Sequence, residues 1–146
     1  MAKILLNTST TGVTTSANTA STLTTIFEFK VPAELKYTIY AGRPWVMKLK
    51  DSSGNEIDAH SKIVILIKGV TDEVGKEVGM FLYRNWHEIS LSNQYNSKFR
   101  DALVPNLKGH ISLREEQKFI IQLNSPDVVD WSNSVIEIEA EEERLM

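Results

Sequence analysis

The chain has 146 residues, 42% of them hydrophobic and 24% charged, with 16 basic against 19 acidic side chains and a net charge of −3. This describes one folded domain with its own core, too short for two ordinary domains and outside the range of disordered chains, and its charge balance offers no general attraction for nucleic acid or anionic lipid. The absence of cysteine excludes disulfide frameworks, thiolate nucleophiles and sulfur-ligated metal centres.

The start, Met1 to Asn7, carries one lysine and a short apolar patch, less than the roughly 7 to 15 apolar residues of an export signal. From Thr8 to Thr25, twelve of eighteen positions are Ser or Thr. Such a stretch has little apolar surface to offset its ordering entropy, so residues 1–22 are expected to form an N-terminal arm ahead of a domain spanning 23–146.

After the arm the apolar residues alternate, the pattern of half-buried strands. Leu23, Phe27, Phe29 and Val31 share one face before Pro32. Tyr37, Ile39 and Ala41 form a second strand ahead of a turn at Gly42-Arg43-Pro44, and Trp45, Met47 and Leu49 form a third. Asp51 to Glu56 is a hairpin tip with Gly54 available for a positive φ. Lys62 to Lys68 is apolar on both faces and β-branched, the pattern of a strand covered on both sides. Its core, Ile63 to Ile67, is the longest strongly apolar run, far short of the roughly 20 residues of a membrane helix.

Gly69, Gly75 and Gly79 mark a long charged loop, and strands are expected at Met80–Tyr83 and His87–Leu91. Tyr95, Phe99 and Leu103 permit one short helix before Pro105. Strands return at His110–Leu113, Lys118–Leu123 and Val135–Glu141. About eight strands at roughly 8 to 12 residue spacing predict an all-β fold, a two-sheet antiparallel β-sandwich of the jelly-roll kind with an extended N-terminal arm. The expected core holds Phe27, Phe29, Ile39, Trp45, Met47, Ile63, Ile65, Ile67, Phe119, Ile121 and Ile138.

Catalytic patterns are missing. His60, His87 and His110 stand far apart with no spaced ligand pair, and no Gly-x-Ser-x-Gly elbow accompanies them. The glycines at 69, 75 and 79 lack phosphate-cradling spacing. Asp51, Asn55, Glu56 and Asp58 do not match a calcium loop and read as a hydrophilic turn. Trp45, Tyr83, Trp86, Tyr95 and Trp131 are sugar-stacking candidates, although core packing accounts for most aromatics in a domain this size. Val135 to Glu141 alternates apolar and acidic residues, a ladder of carboxylates that solubilises a strand or meets a basic partner. The expectation is a non-enzyme with no catalytic, cofactor-binding or metal-binding residues.

The Ser/Thr-rich arm, the cysteine-free sandwich and the closing segments Leu113-Arg114-Glu115-Glu116-Gln117-Lys118-Phe119-Ile120-Ile121-Gln122-Leu123 and Val135-Ile136-Glu137-Ile138-Glu139-Ala140 together carry a resemblance. The chain resembles the small jelly-roll auxiliary proteins of bacterial and archaeal viruses, the decoration or cement proteins that bind capsid lattices. The resemblance implies a virion structural protein on the capsid surface, made in the host cytoplasm, and acting as a homotrimer. It would clamp the major capsid protein or other virion subunits through its arm, with no role for nucleic acid, membrane or cofactor. The alternative is a carbohydrate- or receptor-binding sandwich module, including a phage tail or fibre component.

Overall fold

The computed structural model describes residues 2–40, 45–68, 77–85 and 110–145. They form ten strands: β1 (Ala2–Leu6), β2 (Val13–Thr15), β3 (Thr24–Lys30), β4 (Leu35–Tyr40), β5 (Trp45–Lys48), β6 (Lys62–Lys68), β7 (Glu77–Asn85), β8 (His110–Leu113), β9 (Lys118–Asn124) and β10 (Val135–Arg144). One sheet has the order β1-β10-β4-β8, and the other β2-β3-β9-β6-β7. Strand β5 also pairs with β10, on the side opposite β1, because Ile138 is matched to Leu6 on one flank and Trp45 on the other.

The pairs β1·β10, β3·β9, β4·β8 and β6·β7 are nested one inside the next along the chain, and all are antiparallel. A long hairpin rolled so that its paired arms alternate between two sheets gives this order, which is the jelly roll of eight strands. Strands β2 and β5 are additions to it.

The two sheets enclose one apolar layer. Phe27 and Phe29 of β3, Phe119, Ile121 and Leu123 of β9, and Ile63, Ile65 and Ile67 of β6 point inward from the second sheet. Leu6, Tyr37, Ile39, Met47, Leu113, Ile136 and Ile138 meet them from the first. Phe29 stacks on Tyr37 across the gap at a centroid distance of 5.1 Å, a contact that ties β3 to β4. All ten expected core residues with described side chains are buried; the eleventh, Trp45, has only its backbone described. Val64, Leu66 and Ile120 form a second buried cluster, on the outward face of β6 and β9. Lys62–Lys68 is therefore apolar on both faces because both are buried.

Three expectations change. Residues 1–22 were expected as an arm, yet Ala2–Leu6 pairs with β10 and Val13–Thr15 with β3. The reason is local: Ile4 packs against the core and Leu6 is fully buried, so a five-residue alternation suffices to close a sheet edge despite the Ser/Thr content that follows. Leu23 does not share the face of Phe27, because a register shift between Thr25 and Phe27 inserts a residue, burying both Ile26 and Phe27 and leaving Leu23 47% exposed. Gly79, expected in a loop, lies inside β7 opposite Ile67. The turn at 42–44, the His87–Leu91 strand and the helix ahead of Pro105 fall outside the described residues.

Candidate functional site

The hydrophilic tip after β5 uses its polar groups to build its own turn. The Asp51 carboxylate accepts hydrogen bonds from the N–H groups of Ser53 (2.9 Å) and Asn55 (3.0 Å), while Gly54 takes a φ of 82°. Only glycine adopts that conformation without strain. The Asp58 carboxylate likewise accepts from the N–H of His60, whose side chain is exposed. His87 lies outside the described residues, and His110 has only its backbone described. No group of three or more His, Asp or Glu side chains is placed to hold a metal among the described residues.

Among the aromatic candidates, Trp131 is half-buried against the core and its Nε1–H donates to the Ser16 carbonyl at 2.9 Å. Trp45 and Tyr83 lie in β5 and β7 with their side chains undescribed, and Trp86 and Tyr95 lie outside the described residues. The carboxylate ladder takes its expected place: Ile136, Ile138 and Ala140 enter the core while Glu137, Glu139 and Glu141 face outward, half-buried. Glu142 accepts a 2.8 Å hydrogen bond from the Tyr37 hydroxyl. Burial, reinforced by that bond and by the Glu142 charge, pushes the Tyr37 hydroxyl well above its ordinary pKa.

The two ends of the sandwich differ in chemistry. At the end where β9 begins, the chain turns through Arg114 to Gln117, with Glu116 at a φ of 64°. The Glu116 N–H donates to Val31 O at 2.7 Å, and the Glu34 N–H to the Glu115 carboxylate at 2.6 Å. Beside this turn lies a cavity of about 760 Å³ whose lining includes Lys36, Ile67, Ser112, Arg114 and Leu145, a volume within the usual range of binding pockets. It brings together two cations, the Glu115 carboxylate, the polar Ser112 and Gln117, and two apolar side chains.

At the other end, where β9 stops, the segment 125–130 is held by side-chain hydrogen bonds. Asn18, only 4% exposed, donates from Nδ2 to Asp127 O (2.9 Å) and accepts at Oδ1 from the Val129 N–H (2.8 Å). Ser61 and Ser125 share a buried hydroxyl bond of 2.7 Å, and the Asp58 N–H donates to the Asp127 carboxylate at 2.8 Å. On this frame Val128 projects 45% exposed between Asp127 and Asp130. The Ser132 hydroxyl and amide hold the Asp130 carboxyl below its ordinary pKa, so it is anionic at neutral pH. Neither end was singled out as a site from sequence. The legible signal is Pro126-Asp127-Val128-Val129-Asp130, an apolar pair between two aspartates, where a plain turn would be polar throughout.

Neither a protein-family model nor a curated protein sequence matches the chain. Two solved structures of bacteriophage P23-77 capsid proteins share its fold. The complex of the two major capsid proteins, VP16 and VP17, aligns at a TM-score of 0.54 and 7% identity, over 99% of this chain and 99% of that chain. The capsid protein VP17 aligns at 0.54 and 9%, over 99% of this chain and 97% of that one. The likeness is one of architecture, spanning the sandwich from end to end.

Proposed function

We propose that the chain is a structural protein of a virus shell, a non-enzyme that works by packing against other virion subunits. The observation that carries this reading is the likeness to P23-77 capsid proteins, which covers at least 97% of each aligned chain. The nested strand order supports it, since the jelly roll is a recurrent architecture of capsid domains. Fold alone does not assign function, so the reading rests on the match in size and extent as well as on topology.

Within that role, a decoration or cement protein on the capsid surface, bound to a major capsid protein and assembled as a homotrimer, remains our finer proposal. Its contacts would come from the ends and faces of the sandwich, because β1 and β2 are occupied in the two sheets. The test is mass spectrometry of purified particles, coupled to stepwise dissociation. A cement protein is expected to be present in stoichiometric amount and to leave before the shell opens. Loss only together with the shell would make it a shell-building subunit, and absence from particles would overturn the virion reading.

A further inference from the structure

We propose that copies of this chain associate head to tail, the 125–130 segment of one copy seating in the cavity beside Lys36 and Arg114 of the next. The proposal deepens the shell reading, on which its setting rests, by naming a second copy as partner.

The cavity sets two cations beside an apolar wall. Strands β4 and β8 end their pairing at Tyr37 and Leu113, and the next residues, Lys36 and Arg114, both line the cavity. Neither side chain forms an ion pair among the described residues, although Glu143 is the partner of Lys36 on its other flank. Glu115, on the same rim, directs its carboxylate to the Glu34 amide instead. Ile67 and Leu145 supply an apolar wall, and Leu145 is 38% exposed.

The opposite end carries the complement. Val128 stands between Asp127 and Asp130, and the exposed Leu23 lies at the same end, two residues after Ser21, whose N–H binds Ser125 O at 2.7 Å. The segment is already fixed by Asn18, Ser61 and Asp58, so docking it would cost little further ordering entropy. The seven residues of β9 separate the two patches, about 20 Å at the rise of a strand. Two different patches at opposite ends make a heterologous contact, which propagates into a ring or an open chain rather than stopping at a symmetric dimer.

The test is the solution mass of the full chain, measured by light scattering across protein concentration, for the parent, Val128→Glu and Arg114→Glu. The parent is expected to grow with concentration and to return toward monomer between about 0.1 and about 1 M salt, as the screening length shrinks from ~10 to ~3 Å. Each variant alone should be monomeric. An equal mixture of the two should form a dimer and nothing larger, because one retains the loop and the other the cavity. A parent that stays monomeric, variants that assemble like the parent, or a mixture without dimer would overturn the contact. Thermal melting checks folding, and Leu145→Ser replaces Arg114→Glu if that variant does not fold. Particle incorporation is scored separately: a chain found in particles that fails to self-associate refutes only this contact, and one that self-associates but is absent from particles refutes only the shell reading.

Discussion

The N-terminal segment and the central pair β6·β9 hold the same sandwich together in opposite ways. In β6 and β9 nearly every apolar side chain is buried, on both faces, and the strands have neighbours on either side. In residues 2–22 the buried side chains are few: Leu6 in the core and Asn18 beneath the 125–130 segment, with Ile4 and Val13 packed at its margin. The segment is kept in place by backbone pairing to β10 and β3 and by hydrogen bonds from polar side chains. A strand can thus belong to a fold because of where the topology puts it, with little hydrophobic signal of its own.

Removing residues 1–22 tests that lesson most severely. It strips one edge strand from each sheet and uncovers the core at Leu6, so the truncated chain is expected to lose its cooperative thermal transition by circular dichroism. A truncated chain melting close to the parent would return the segment to the role of a detachable arm. In the centre, Ile65→Ala leaves a cavity at a fully buried position and should cost about 2 to 5 kcal/mol in denaturant unfolding. An unchanged midpoint there would mean that β6 is not central.

Asn18→Ala probes how the polar segment is fastened. It leaves the Val129 N–H and the Asp127 carbonyl without their partner, and the expected loss is about 1 to 3 kcal/mol. A loss below that of an exposed Ser→Ala control would show that these bonds do not hold the segment. The smallest effect belongs to Tyr37, where β4 meets the end of β10. Its folded-state pKa lies above the unfolded value of about 10, so its contribution is complete below pH ~10 and declines as pH rises above it, when the unfolded chain loses the proton first. Denaturant melts between about pH 8 and about pH 11 should fall more steeply for the parent than for Tyr37→Phe, and parallel curves would exclude the linkage.

The strands that could be read from the sequence are those whose period meets a buried face. Phe119, Ile121 and Leu123, or Ile136 and Ile138 between glutamates, announce both a strand and its orientation. Strand β1 was hidden because Ile4 and Leu6 complete only one alternation before a polar run, and β2 because Val13-Thr14-Thr15 has one apolar residue. The inserted residue at Ile26 could not be read at all, since a bulge is a property of two strands in register and not of one. The same applies to the candidate site: Val128 and Arg114 are ordinary surface residues until β9 places them at opposite ends.

The nested pairing also bears on how the chain reaches this state. Strands β6 and β7 are close in sequence, whereas β1 and β10 join residues as distant as Ala2 and Glu142. Closing a longer loop costs more entropy, and folds dominated by distant pairings fold slowly. We therefore expect the roll to form from its innermost pair outward, with β1 docking after the rate-limiting barrier. Ile65→Val should then slow refolding in stopped-flow experiments while Leu6→Ala mainly speeds unfolding; the reverse pattern would mean that the roll closes from its ends.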